Sequence, residues 1–239
     1  SEDPTRIIRG ARYAAKLNFH LTANSLNQIK STIKKWPWCW QVKDNSIKAP
    51  PALGIRLRME LELLLQQESW ENALHHLQEW GALSILDKEL QADKEWSRRL
   101  HWALKLKINP LTALLSGLSD APSVAERIQL PMQQQNVLSE SLNLGTLLSD
   151  IHSSKKDLNW KPSDWCILLE KGNWHIDTIK ILICLKVPLW KKLIRWCKRW
   201  QFIKSPLSAK ELIERGWAPG PGIRKEMNRL RNQQLDQFH

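Results

Sequence analysis

Residues 2–19 read Glu2-Asp3-Pro4-Thr5-Arg6-Ile7-Ile8-Arg9-Gly10-Ala11-Arg12-Tyr13-Ala14-Ala15-Lys16-Leu17-Asn18-Phe19. Asp3 is a good N-cap, and proline is tolerated at the first helical position, so a helix is expected from about Pro4 to about Leu17. At one residue every 100°, Ile7, Ile8, Ala11, Ala14 and Ala15 centre near roughly 20°, while Arg6, Arg9, Arg12 and Lys16 centre near roughly 175°. One face is apolar and the opposite face is cationic. Arginines three apart repel by a few tenths of a kcal/mol per pair unless carboxylates or an anion sit against them. A phosphate would satisfy them, since guanidinium binds it through two parallel hydrogen bonds. A solvated basic face above a proline-started helix accounts for the same spacing.

Outward from this helix the same periodicity recurs. Ala23 to Lys35 reads as helical and ends at Trp36-Pro37-Trp38-Cys39-Trp40, where proline breaks the pattern. Residues 41–52 read as a loop. Arg56 to Gln67 carries Leu57, Leu61, Leu64 and Leu65 on one face, and Trp70 to Trp80 carries Ala73, Leu74 and Leu77, with Gly81 closing it. Lys94 to Lys107, Pro110 to Gly117 and Ala121 to Gln129 fit further helices, whereas Met132 to Asn143, rich in Gln, Asn and Ser, reads as an exposed turn or connection. In residues 188–201, Leu189, Leu193, Trp196, Cys197 and Trp200 share a stripe among Lys191, Lys192, Arg195, Lys198 and Arg199. Ser208 and Glu211 form a capping box, Gly216 stops that helix, and Pro219-Gly220-Pro221 leads into a last helix from Ile223 to about Leu235. Nine glycines and one tyrosine in 239 residues, with abundant Leu, Lys, Glu and Gln, agree with an all-α fold.

The net charge is +12, which calls for a polyanionic partner, nucleic acid first among them. Residues 1–150 hold 18 Lys and Arg against 16 Asp and Glu, and residues 151–239 hold 18 against 8. The anion is therefore expected along the C-terminal third. No apolar run approaches a membrane span. The four cysteines, Cys39, Cys166, Cys184 and Cys197, form no CxxC pair and the histidines no HExxH, so each cysteine reads as a small core residue in a reducing, cytoplasmic setting, with no metal. The start at Ser1, without an initiator methionine, reads as an excerpt of a longer protein.

Residues 2–19 closely resemble the EDPxRxLRAxRFxAxLxF stretch of class II CCA-adding tRNA nucleotidyltransferases and the related bacterial poly(A) polymerases. Gly10 stands where Ala is usual, weakening the helix by about 1 kcal/mol, and Tyr13 where Phe is usual. Arg56-Leu57-Arg58-Met59-Glu60-Leu61 resembles the family's ERIRxEL helix with Ile55 for a common Glu. Surface pairs of Arg56 with Glu60 and Arg58 with Glu62 are the favoured explanation of that stretch. Residues 212–223, Leu-Ile-Glu-Arg-Gly-Trp-Ala-Pro-Gly-Pro-Gly-Ile, resemble the LxxxGxxPGPxIG entry to the last tail helix, with Gly222 and Arg224 replacing Glu and Gly.

The resemblance implies an elongated all-α neck-body-tail architecture, with a neck at 1–67, a body at 68–158 and a basic, tRNA-binding tail at 159–239. It implies that Asp3 and Arg6 present hydrogen-bonding edges to the base of an incoming CTP or ATP, that Glu2 orients Arg6, and that Arg9 and Arg12 contribute to the nucleotide site. Arg224, Lys225, Arg229 and Arg231 would meet tRNA. The family's catalytic head, with a Gly-rich loop and a DxD pair for Mg²⁺, matches nothing in this sequence. Asp87 and Glu89 are separated by one residue but read as a surface pair, so the chain alone is expected to be inactive. A non-catalytic helical RNA-binding or scaffold module is the alternative, as is the same region of a poly(A) polymerase.

Overall fold

The computed structural model describes residues 3–35 and 52–237. Every regular element among them is a helix. The expectations for Trp36–Trp40, for all of the 41–52 loop except Ala52, and for Glu2 and Cys39 fall outside the described residues. The chain divides into two compact units, Ser1–Ser141 and Leu142–His239.

The first unit is built on α1 (Thr5–Leu17), α2 (Ala23–Lys35), α3 (Leu53–Gln66) and α4 (Trp70–Glu79). It continues through α5 (Lys88–Ala92), α6 (Trp96–Leu106), α7 (Pro110–Leu115) and α8 (Ala121–Arg127) into α9 (Met132–Ser153), within which the division falls. The apolar face of α1 is buried as its spacing requires: Ile7, Ile8, Ala11 and Ala14 face α3 and α4. Those helices offer Leu57, Leu61 and Leu64, and Ala73, Leu74 and Leu77. Each buried Leu or Ile contributes about 1.5–3 kcal/mol, so this three-helix contact is the main source of stability at the N-terminal end. Asn18, left-handed at φ 53°, stops α1, and Phe19 N–H donates to the Ala14 carbonyl at 2.9 Å.

Two polar fixtures hold the rest. The Gln78 side-chain amide donates to the carbonyls of Gln91 (3.1 Å) and Asp93 (2.8 Å), and its oxygen accepts from the buried Trp96 indole at 3.0 Å. Arg99, 2% exposed, donates to the carbonyls of Ala113 (2.8 Å) and Leu114 (2.9 Å) near the end of α7, and pairs with Asp93. Space for its guanidinium comes from Gly117, where a Cβ would lie 2.5 Å from Arg99 Cζ. Gly54 is equally constrained: a Cβ there would stand 2.1 Å from the Arg127 carbonyl oxygen.

Residues 132–143 correct the sequence expectation. They are the first half of α9, a 22-residue helix that buries Val137, Leu138, Ser141, Leu144, Leu148 and Ile151. Burial at three- and four-residue steps outweighs the weak helix preference of the Ser and Asn between them.

The second unit comprises the end of α9, then α10 (Pro162–Lys171), α11 (Ile176–Leu185), α12 (Trp190–Lys198), α13 (Ala209–Glu214) and α14 (Pro221–Asp236). Its centre is α11, whose Ile179, Ile181, Leu182, Ile183 and Cys184 are all buried, while Asp177 and Lys180 pair at 3.1 Å on its partly exposed side. Trp165, Cys166 and Leu169 of α10, and Leu193 and Trp196 of α12, complete this core. The Ser208–Glu211 capping box forms as expected, with Ser208 N–H donating to Glu211 at 2.7 Å, and Gly216 takes φ 93° beyond α13. Cys166 and Cys184 are buried and unbridged, as core residues should be, and burial pushes the Cys166 thiol up to about 12.

Candidate functional site

The cationic face of α1 meets α3. Helix α1 begins at Thr5 with Pro4 at the cap position, one residue later than expected. Asp3, just before it, accepts from the Thr5 amide at 3.0 Å and the Thr5 hydroxyl at 2.7 Å through Oδ1, while Oδ2 lies 3.0 Å from Arg56 Nη1. Burial pushes this carboxyl up, but the two Thr5 donors and the charges of Arg56 and Arg6 outweigh it, so Asp3 titrates below the usual carboxylate range. Arg6 is exposed and makes no ion pair among the described residues. Asp3 and Arg6 thus stand together at the start of α1, one a charged acceptor, the other a free donor.

One turn on, Glu60 of α3 reaches under the arginines. It accepts from Arg9 Nε at 3.0 Å and lies 3.5 Å from Arg12 Nη1, and its side chain is 9% exposed. This hydrogen bond holds Arg9 above its ordinary pKa. The Arg12 guanidinium also lies 5.3 Å from the Tyr13 ring centroid. The expected pair Arg58 with Glu62 forms at 3.8 Å, and Arg58 also donates to the Gln129 carbonyl. The expected pair of Arg56 with Glu60 does not: Glu60 serves Arg9 and Arg12, and Arg56 serves Asp3. The physical reason is proximity to uncompensated charge, because α1 lays its arginine stripe beside α3 and captures both partners.

Sequence reading named the α1 residues but missed Arg56 and Glu60 as their partners. The available signal was the ERIRxEL-like match itself. Four arginines here meet two carboxylates among the described residues, which leaves the cluster cationic and suited to an anionic ligand with a hydrogen-bonding edge.

The carboxylates considered for a metal have other work. Asp87 caps α5 by accepting from the Glu89 amide at 2.7 Å, and Glu89 accepts from the Ser119 amide at 2.7 Å and hydroxyl at 2.6 Å. Among the described residues no three His, Cys, Asp or Glu side chains gather to hold an ion. The described residues therefore assemble no Mg²⁺ site.

In the second unit, Arg224 and Lys225 are exposed near the start of α14 and unpaired among the described residues. Arg229 is held by Glu226 through contacts of 2.8 and 2.6 Å. Arg231 is engaged at both ends of its guanidinium, by Glu170 of α10 at 2.7 Å twice and by the Ile203 carbonyl at 2.7 Å. Arg231 thus clasps α14 to α10 within this structure, a bidentate carboxylate and a carbonyl occupying three of its five donors. No described helix is long and apolar enough to cross a membrane.

No family model and no curated protein matches the sequence. Solved structures do match it. A CCA-adding enzyme with ATP superposes with a TM-score of 0.63 at 17% identity, covering 99% of this chain and 57% of its own. The Thermotoga maritima CCA-adding enzyme complexed with tRNA gives 0.64 at 16%, covering 99% and 58%, and a tRNA-processing enzyme with CTP gives 0.64 at 19%, covering 98% and 63%. The chain thus spans about three fifths of the length of the solved enzymes it matches. Over nearly all of its own length this helical chain is similar in fold to a part of the CCA-adding enzymes.

Proposed function

We propose that this chain is the nucleotide-selecting and RNA-holding part of a CTP/ATP tRNA nucleotidyltransferase, serving maturation of tRNA 3′ ends in the cytoplasm. The observation that carries the proposal is the fold likeness to CCA-adding enzymes solved with ATP, CTP and tRNA, joined to the placing of Asp3 and an exposed Arg6, unpaired among the described residues, side by side at the start of α1. In this reading residues 1–67 are the neck, 68–158 the body and 159–239 the tail.

Asp3 accepts from the exocyclic amino group of C or A, and Arg6 donates to a ring nitrogen or carbonyl, so protein edges do the work of a template. Arg56 fixes the Asp3 carboxylate from the side away from Thr5. Arg9 and Arg12, steadied by Glu60, attract the triphosphate, and Glu2 orients Arg6. Arg224 and Lys225 offer charge to tRNA, while Arg229 must first leave Glu226. Mg²⁺ would be held by a head carrying the family's paired carboxylates, and it would supply charge neutralisation at the transferred phosphate.

The test is nucleotide incorporation into tRNA lacking its CCA end, by the chain alone and by the chain joined to such a head. The chain alone should be inactive and the joined form active on CTP and ATP. Asp3→Ala and Arg6→Ala should cost selection of CTP and ATP far more than tRNA affinity. Unchanged activity and fidelity across all four nucleotides in both variants would remove the templating assignment. A chain that binds no tRNA would support the scaffold alternative.

A further inference from the structure

Helix α12 is divided into two chemically opposite halves. Leu193, Trp196 and the following Trp200 are buried at 0%, 7% and 4% exposure, whereas Lys191, Arg195 and Lys198 are exposed. These three fall within about 60° of one another around the axis and within about 10 Å along it. Their repulsion, a few tenths of a kcal/mol per i,i+3 or i,i+4 pair, is not relieved inside the protein. None of the three has an ion-pair partner among the described residues, and α12 itself contains no carboxylate. The carboxylates that do pair in this unit are spent elsewhere: Glu170 on Arg231, Asp177 on Lys180, Glu214 on Lys210 and Glu226 on Arg229.

From this we infer that the Lys191–Arg195–Lys198 face of α12, rather than the cations of α14, is the main phosphate-binding surface of the second unit, and that its occupant is the sugar-phosphate backbone of RNA. The inference rests on the RNA-binding reading above. Two features favour RNA over an anionic membrane. The apolar half of α12 is already buried in the core, so no hydrophobic face remains to enter a bilayer. The exposed half offers point charges without the carboxylates that would read a base edge, which suits recognition of backbone and not of sequence. On α14, by contrast, only Arg224 and Lys225 remain unpaired among the described residues, because Arg229 and Arg231 are already neutralised.

The experiment measures binding of the full chain to a tRNA mixture, to a mixed-sequence single-stranded RNA and to phosphatidylserine vesicles between about 50 and 200 mM salt. The triple variant Lys191→Gln, Arg195→Gln, Lys198→Gln should flatten the slope of log affinity against log salt for tRNA by about 3, about 1 per lost phosphate contact. The charge-preserving double variant Lys191→Arg, Lys198→Arg should keep the slope. Should the triple variant melt early, single Lys191→Gln and Lys198→Gln changes carry the same test at about 1 each. An unchanged slope in a folded variant overturns the inference while leaving tRNA binding intact. Equal, α12-dependent binding of tRNA and single-stranded RNA upholds it and instead removes the tRNA reading. A parent chain that ignores both RNAs, or prefers the vesicles, overturns it outright.

Discussion

Gly10 and Gly54 are both helical, and by propensity alone alanine should stabilise either by up to about 1 kcal/mol. Their surroundings give opposite signs. At Gly10 a Cβ would meet nothing within 4 Å, so Gly10→Ala should gain about 0.5–1 kcal/mol. At Gly54 the same atom would lie 2.1 Å from the Arg127 carbonyl oxygen and 3.4 Å from Ile128 Cα, both backbone. No rotamer can relieve that contact, so α3 must move away from the end of α8, at a cost of about 1–3 kcal/mol. At about 2–4 °C per kcal/mol, Gly10→Ala raises the melting temperature by about 1–4 °C and Gly54→Ala lowers it by about 2–12 °C. Thermal unfolding followed by circular dichroism reads both. Because α3 carries Arg56 and Glu60, Gly54→Ala should also weaken binding of CTP, which Gly10→Ala should not. If Gly54→Ala were as stable as its parent, the seating of α3 against Arg127 would be wrong, and with it the placement of Glu60 beneath the arginines.

Other outcomes follow from the same contacts. Asp3 titrates below its usual range, so its contribution to stability is present above pH 3.8 and fades as pH falls through the lower folded value; the melting difference between parent and Asp3→Asn should be full at pH 6 and gone well below 3.8. Glu60→Gln should lower stability by about 1–2 kcal/mol, a half-exposed Arg9 limiting the loss, while raising affinity for inorganic triphosphate; a parallel drop in both would argue that Glu60 only supports the fold. Arg231→Ala should loosen α14 and lower the melting temperature without flattening the salt slope of RNA binding, the reverse of the effect expected at α12. Peptide-resolved alkylation at pH 8 should leave Cys166 unlabelled in the folded chain and label it once unfolded, since its buried thiol is pushed to about 12.

The helices with local signals were legible in the sequence. The Ser208–Glu211 box and Gly216 each act within four residues and formed as their chemistry requires, and Asp3 with Pro4 marks the start of α1 to within one residue. Residues 132–143 were not legible, because Gln, Asn and Ser at exposed positions mask a buried stripe that shows only when carried through to Ile151. The site divided along the same line. That Arg6, Arg9 and Arg12 share a face follows from the helical period, but Glu60 lies 51 residues from Arg9, and only packing of α1 on α3 brings it there. The clasp at Arg231 was hidden for the same reason, since nothing within α14 indicates that Glu170 and the Ile203 carbonyl engage it.

The guanidinium of Arg99 lies across Gly117, where a Cβ would stand 2.5–2.6 Å from three of its atoms. The two positions consequently cannot drift independently. A side chain at 117 first requires a shorter residue at 99, and a shorter residue at 99 leaves the Ala113 and Leu114 carbonyls and the Asp93 carboxylate without their donor. Either single step passes through a poorly folded intermediate. Across proteins that share this fold, positions 99 and 117 should therefore change as a pair or stay fixed as Arg and Gly, making their joint occurrence a marker of ancestry independent of any contact with nucleotide or RNA.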